Sequence, residues 1–362
     1  MKNNKNKVAI ISSSLGIGGA ERFASNLSFI LHDLDFEVHS IIINNKVDYQ
    51  YKGTLFNLGL LCKNDLIKKF KKSILLKKYI ENENIAIIID NRTRLFFIRD
   101  LIYRWIYNKR NCFFMIHSSK LELYLPKSVF LSKILYSKKD TFICVSNEIE
   151  KKVQTRYFFK NTLTIYNSVK INNLKFIKPN NVSEKYFLYF GRFDEKVKNL
   201  TLMMESFLLS KVYEVGFQLI LMGSGPDLEL INEKVKQLKC EDYIKIIPFV
   251  ENPIPYIQQA KSTVLTSRFE GFPMSIIESL AVGTPVISVD CPTGPNEMII
   301  DKFNGLLVEN YNKNQIAEAF KKFAFDDELY QICKLNSQKS IEHLSVETIA
   351  NQWKKLLNNY DK

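Results

Sequence analysis

The sequence of 362 residues has no uninterrupted apolar run near the ~20 residues that a membrane-crossing helix requires, so it reads as soluble or peripheral. Lysines ahead of Val8 to Ile11 imitate a secretion signal. Ser12, Ser13 and Ser14 cut that run short, and a first β-strand is expected instead. Cysteines are few, six in all, standing singly at 62, 112, 144, 240, 291 and 333. They have neither the paired spacing of a zinc site nor the density of a disulfide scaffold, and reduced thiols in a cytoplasmic protein fit this usage. No short-period repeat is visible, and no recognised DNA- or RNA-binding motif accompanies the basic charge.

What is present is a globular composition, 46% hydrophobic and 25% charged, on a chain long enough for two domains. The net charge of +13 is uneven: residues 1 to 180 hold 31 Lys and Arg against 14 Asp and Glu, and residues 181 to 362 hold 20 against 24. A basic N-terminal half suits an anionic membrane surface at roughly 1 kcal/mol per well-placed cation, although a lysine-rich composition would scatter such charge over any solvated surface. The run Ile67 to Lys78 concentrates it, without a cleanly two-faced helical wheel.

Strand-like runs alternate with helical stretches: Val8 to Ile11, Glu37 to Ile43, Ile85 to Ile89, Cys112 to Ile116, Thr141 to Val145 and Leu163 to Tyr166. After a polar linker, Lys170 to Lys185, the alternation restarts with Tyr186 to Phe190, Phe217 to Met222, Tyr243 to Ile247, Ser262 to Thr266 and Pro285 to Val289. This pattern predicts an α/β fold with two parallel sheets, residues 1–175 and 176–345, and a closing helix in 346–362 that carries Trp353 and can pack back across the boundary. Ligands of such sheets bind beyond the C-terminal strand ends, and two of them make a cleft the expected site.

Three loops at those ends carry candidate chemistry. Gly16, Gly18 and Gly19 precede a helical stretch, but Arg22 stands where a dinucleotide fingerprint needs a small residue, which disfavours nicotinamide and flavin cofactors; the glycines can equally serve tight packing. Gly191-Arg192, with Lys198 six positions on, sets two cations at a strand-to-helix turn, either for a phosphate or as solvated surface charge. The third loop runs from Ser267 to Glu278. A helix starting near Pro273 leaves Glu270 in the loop and Glu278 more than a turn into the helix, with the first-turn amides of Met274 to Ile276 between them. Amides accept a phosphate that carboxylates repel, so the two glutamates would hold neutral hydroxyls on either side. A sugar joined to a nucleoside diphosphate has this order of groups.

These residues, with His117 after Cys112 to Ile116, Ser146, Asn167, Gly223-Ser224-Gly225-Pro226 and Gly283-Thr284-Pro285-Val286, resemble the retaining glycosyltransferases of the GT-B architecture, specifically the family-four group. The likeness runs nearly the whole chain, is strongest from 186 to 310 and is thin from 40 to 110. It implies two Rossmann-like domains facing each other across a cleft, with acceptor in the first and donor in the second. Arg192 and Lys198 would bind the diphosphate, Glu270 the hexose and Glu278 the ribose. The backbone of Gly271, Phe272, Pro273, Met274 and Ser275 would contact sugar and phosphate, and Phe249 and Val250 the nucleobase. Gly18 and Gly19 would close over the donor, and His117 would sit near the reacting centre. Asn167-Ser168 departs from the family's usual Asn-Gly. The segment Asp290 to Glu297 looks like a variant from members that extend surface glycans such as lipopolysaccharide or capsule.

The expected reaction is transfer of a hexose or N-acetylhexosamine from a nucleoside diphosphate, with UDP as the carrier, to a glycan or lipid-linked acceptor. Anomeric configuration would be retained, an implication of the resemblance alone. No metal or cofactor is expected, since cations and helix amides can neutralise the departing diphosphate; Asp33-Leu34-Asp35 is read as a surface accident. The expected location is cytoplasmic, including the inner membrane face, with no nucleic-acid partner. A sugar-nucleotide epimerase of the same architecture and a non-catalytic glycan-binding member are the alternatives.

Overall fold

The computed structural model describes residues 6–16, 18–61, 66–94, 97–108, 110–136, 139–170 and 182–358, the side chains of 66–69 and 97–98 excepted. Ile17, Cys62, most of the expected linker and Tyr360 lie outside them. The chain forms two compact units, residues 1–168 with 346–362, and residues 169–345.

In the first unit, β1 (Lys7–Ser12), β2 (Glu37–Ile42), β3 (Thr54–Asn57), β4 (Ile87–Asp90), β5 (Asn111–Ile116), β6 (Thr141–Cys144) and β7 (Thr162–Thr164) pair in the order β3-β2-β1-β4-β5-β6-β7. The second holds β8 (Tyr186–Arg192), β9 (Gln218–Ser224), β10 (Ile244–Ile247), β11 (Ser262–Leu265), β12 (Val286–Asp290) and β13 (Gly305–Glu309), ordered β10-β9-β8-β11-β12-β13. The pairings within both sheets are parallel. Strand order reverses between β1 and β4 and between β8 and β11, and connecting chain leaves in opposite directions there.

Helices cover both faces of each sheet, which is why the strands read as continuous apolar runs. In β8, Phe187 and Tyr189 join one hydrophobic cluster while Tyr186 and Leu188 join another; in β9, Leu219 and Leu221 divide from Ile220 and Met222 in the same way. This period of two places one side-chain set on each face. Both strands run further than their apolar residues suggest because glycines prolong the pairing: Gly191 sits opposite Gly223 and Arg192 opposite Ser224. A Cβ on Gly223 would stand 1.9 Å from the Gly191 carbonyl oxygen, an approach only glycine permits. β3 and β13, both edge strands, went unforeseen: one has a half-exposed four-residue run, and the other starts at an Asn-Gly turn. β4 starts two residues later than expected, after Asn84 takes a left-handed φ of 51° behind the helix Leu66–Asn82.

The helix Val346–Asn358 belongs to the first unit. Its Trp353 is fully buried, with its ring 6.4 Å from that of Phe23 on the helix Gly19–Asp33. The five described cysteines are buried and unbridged. Among the described residues no helix is long and apolar enough to cross a membrane. Asp33 and Asp35 lie at and just beyond the end of the helix Gly19–Asp33.

A buried polar layer follows β4. Arg92 grips Asp90 with a two-pronged pair, Nε to Oδ1 at 2.9 Å and Nη2 to Oδ2 at 2.7 Å, and Tyr107 donates to the same carboxylate. Burial pushes the Asp90 carboxyl up, but Arg92 outweighs it and holds the group below its ordinary value. Asp100, 4% exposed, lacks such a fork, and burial raises its pKa to about 6 against a partial offset from Arg94. A raised folded value means stability present below the ordinary 3.8 and lost as pH rises through about 6. Asp100→Asn, which mimics the protonated form, is therefore expected to stabilise the protein by about 3 kcal/mol at pH 8 and to change little at pH 4, as read by denaturant unfolding at both values.

Candidate functional site

In the second unit, three loops leaving β8, β11 and β12 at their C-terminal ends are laced together. After β8 the chain makes one helical turn, Glu195–Lys198, then places Asn199 at a left-handed φ of 52° before the helix Leu200–Ser210. Lys198 ends the short turn, and Asn199 separates it from the longer helix. The Arg268 amide donates to the Val197 carbonyl at 2.8 Å, the Thr266 hydroxyl to the Asn199 carbonyl at 3.1 Å, and the Arg268 guanidinium to Asn199 Oδ1 at 2.8 Å. On the other side the Glu270 amide donates to the Pro292 carbonyl at 2.7 Å, and Thr293 Oγ1 lies 3.1 Å from the carbonyls of both Glu270 and Gly271.

This frame brings Lys198 and Glu270 together. Lys198 Nζ lies 2.6 Å from Glu270 Oε1, which also accepts from the Ser267 hydroxyl at 2.6 Å. The lysine and glutamate side chains are 21% and 11% exposed, so the pair is largely shielded yet reachable. Arg192, the last residue of β8, is exposed, and its carbonyl accepts from the Tyr189 hydroxyl at 2.7 Å. Gly271, Phe272 and Pro273 are buried, and Met274 and Ser275 are half-buried. The helix Met274–Ala281 starts one residue later than expected, with Pro273 as its N-cap and no side-chain cap. An uncapped N-terminus suits an anion. Glu278 is buried in the second turn. Beyond β10, Phe249 is half-exposed, while Val250 packs on the core beside Ile247.

In the first unit, Gly18 is the extended N-cap of the helix Gly19–Asp33. A Cβ on Gly19 would meet nothing within 4 Å, so this chain's own packing does not demand that glycine. His117 follows β5 directly, its ring 5.0 Å from that of Phe23. Its Nε2 lies 2.5 Å from Asn91 Oδ1, and Asn91 Nδ2 donates to the Ala20 carbonyl at 2.7 Å and to Ser12 Oγ at 3.3 Å. Burial, with Arg94 adding to it, lowers the imidazole pKa to about 3, so it is neutral at working pH. Arg94 joins the loop after β4 to the segment after His117, donating from Nε to the Tyr124 carbonyl at 3.1 Å. Asn91, Arg92 and Arg94 were not anticipated from sequence; the signal was five residues, Asp90 to Arg94, four of them charged or amide-bearing, closing an apolar strand.

Elsewhere, Glu37, His39 and Glu83 bring potential metal-ligand atoms within 4.8 Å of one another. Lys7 already pairs with both carboxylates, at 3.1 and 2.9 Å, and the group lies at the N-terminal strand ends, away from the loops above. The Thr293 hydroxyl ties down the Glu270 loop, and Thr293→Val is expected to cost about 1 kcal/mol, read as a lowered thermal midpoint.

The family model for glycosyl transferases group 1 matches residues 170–340. Over 355 residues the chain is 29% identical to the N-acetylgalactosamine-N,N'-diacetylbacillosaminyl-diphospho-undecaprenol 4-alpha-N-acetylgalactosaminyltransferase of Campylobacter jejuni, covering 91% of this chain and 93% of that protein. It is 28% identical to the lipopolysaccharide 1,6-galactosyltransferase of Escherichia coli over 47% of this chain and 48% of that one. Among solved structures, a TarM variant from S. aureus, in a complex that includes UDP, superposes with a TM-score of 0.80 at 16% identity, covering 99% of this chain and all of that one. HepE of Anabaena, in complex with UDP, gives 0.77 at 16% identity over 98% of this chain and all of that one. Both sheets have the GT-B fold of these solved structures, the chain is a glycosyltransferase, and its second unit matches the group 1 glycosyl transferase model over residues 170–340.

Proposed function

We propose that the protein transfers a hexose or N-acetylhexosamine from UDP to a glycan or lipid-linked acceptor of a bacterial surface glycan, with retention of anomeric configuration. The observation that carries the reading is the Lys198–Glu270 pair at the head of an uncapped helix that also holds buried Glu278. Without donor, the two charges neutralise each other. A diphosphate would draw Lys198 away and leave Glu270 to accept hydrogen bonds from hexose hydroxyls, while Glu278 holds the ribose. Arg192, exposed at the strand end, and Lys198 would stabilise the charge that grows on the departing diphosphate. Phe249 and Val250 would meet the base. No metal is required in this scheme, because cations and helix amides do that work.

This division of roles makes the variants separable. Glu270→Gln frees Lys198 for phosphate, so UDP should bind unchanged or a few-fold tighter, while transfer falls about a hundredfold, the usual loss for one such group. Glu278→Gln should weaken UDP and the full donor alike. Acceptor-dependent release of UDP from UDP-sugars, alongside calorimetric UDP affinity, checks both. Parallel loss of UDP binding and activity in a folded Glu270→Gln protein would overturn the order of hexose, diphosphate and ribose, and UDP release indifferent to acceptor would remove the transferase reading.

The first unit supports a second part of the proposal, docking on an anionic membrane. Packed side by side are the helices Leu66–Asn82, Phe97–Tyr107 and Val129–Leu135. Large apolar side chains, Phe70, Leu101, Trp105, Phe130 and Ile134, stand exposed on them among Lys71, Lys77 and Lys78, and Lys77 lies 4.0 Å from the Trp105 ring. Leu101 and Trp105, like Phe130 and Ile134, are four apart and share a helix face. Aromatic residues beside lysines suit the headgroup boundary, so apolar insertion joins the electrostatic term expected from sequence. Co-sedimentation with phosphatidylglycerol vesicles, retained in part at 0.5 M salt and reduced several-fold by Trp105→Ser with Phe130→Ser, is the expected outcome. Equal, negligible binding to neutral and anionic vesicles would refute it.

A further inference from the structure

Asn91 is 5% exposed and sits where the loop after β4 meets both β1 and β5. The Ala20 carbonyl can only accept, so the Asn91 side-chain atom 2.7 Å from it must be the amide nitrogen. The other atom, Oδ1, is then an acceptor, and His117 Nε2 beside it must carry a hydrogen. A neutral imidazole has one such hydrogen, which leaves Nδ1 with a lone pair. Through Nδ1 the ring can then accept a hydrogen bond and not donate one.

We infer that Asn91 is a positioning residue, holding His117 in the Nε2–H form so that Nδ1 accepts a hydrogen bond from a substrate hydroxyl. This rests on the reading of His117 as a residue that touches the reacting substrate. The charged and titratable groups around the ring act together. Arg94, from the loop after β4, opposes protonation, and Tyr124 reaches the His117 backbone. Glu21, at the start of the helix Gly19–Asp33, bears on Tyr124, and Phe23 from that helix covers the ring edge. Asn91 is the side chain that orients the imidazole without supplying a charge. Because the same amide also holds Ser12 and Ala20, the histidine is tied to the glycine loop at the head of the helix Gly19–Asp33.

Asn91→Asp tests this. A carboxylate at that position would favour the imidazolium, converting Nδ1 from acceptor to donor. Turnover should then fall about tenfold or more at pH 6 and recover as pH rises toward 9, with KM for UDP-sugar unchanged, while the wild type shows no such limb. A wild-type pH profile in Asn91→Asp, with His117→Ala strongly impaired, overturns the inference. Wild-type turnover in His117→Ala would instead sink the underlying reading of His117. Should Asn91→Asp fail to fold, nitrogen NMR of the wild type decides independently: among the four histidines, His117 is expected as the Nε2–H tautomer, and finding Nδ1–H overturns the proposal.

Discussion

The reversal of strand order in each sheet is the constraint on which the sites depend. The chain goes one way from β8 to β9 and β10, and the other way from β11 to β12 and β13, while β8 and β11 stay paired, so the loops leaving their C-terminal ends meet at the reversal. Lys198 lies in the chain leaving β8 and Glu270 in the chain leaving β11. Their 2.6 Å pairing therefore follows from topology, across seventy-odd residues of sequence. The same reversal between β1 and β4 gathers the glycine loop, Asn91 and His117 in the first unit.

The two loop clusters are held in shape by different means. In the second unit the frame is mostly backbone: amides of Arg268 and Glu270 reach carbonyls of Val197 and Pro292. Such bonds fix where Glu270 sits without engaging its carboxylate. In the first unit the frame is side-chain and buried. The Asp90–Arg92 fork and the Arg94 bonds to the carbonyls of Arg92 and Tyr124 lock the loop that carries Asn91. Buried charges of this kind are costly to leave half-paired, so they disfavour rearrangement more than they add net stability.

Most of the architecture was legible because buried parallel strands are short β-rich runs separated by helical stretches; eleven of the thirteen strands among the described residues coincide with runs such as Val8 to Ile11 and Tyr186 to Phe190. Edge strands β3 and β13 escaped because an edge need not be apolar on both faces. Loop residues were legible where chemistry is unusual at a strand end, as with Glu270 to Glu278. Lys198 and Glu270 were each singled out in the sequence, but their mutual pairing was not, since sequence distance carries no information about which loops a crossover brings together.

Asn91 shows the limit more sharply. As a residue type it is commonplace in loops, and nothing in its neighbours marks it as more than turn chemistry. Its importance comes from having one donor and one acceptor end, each facing a partner of fixed polarity: a carbonyl that only accepts on one side, and an imidazole that must then donate on the other. An aspartate could not donate to Ala20 while ionised. The amide thus passes the polarity of a backbone carbonyl on to a histidine tautomer.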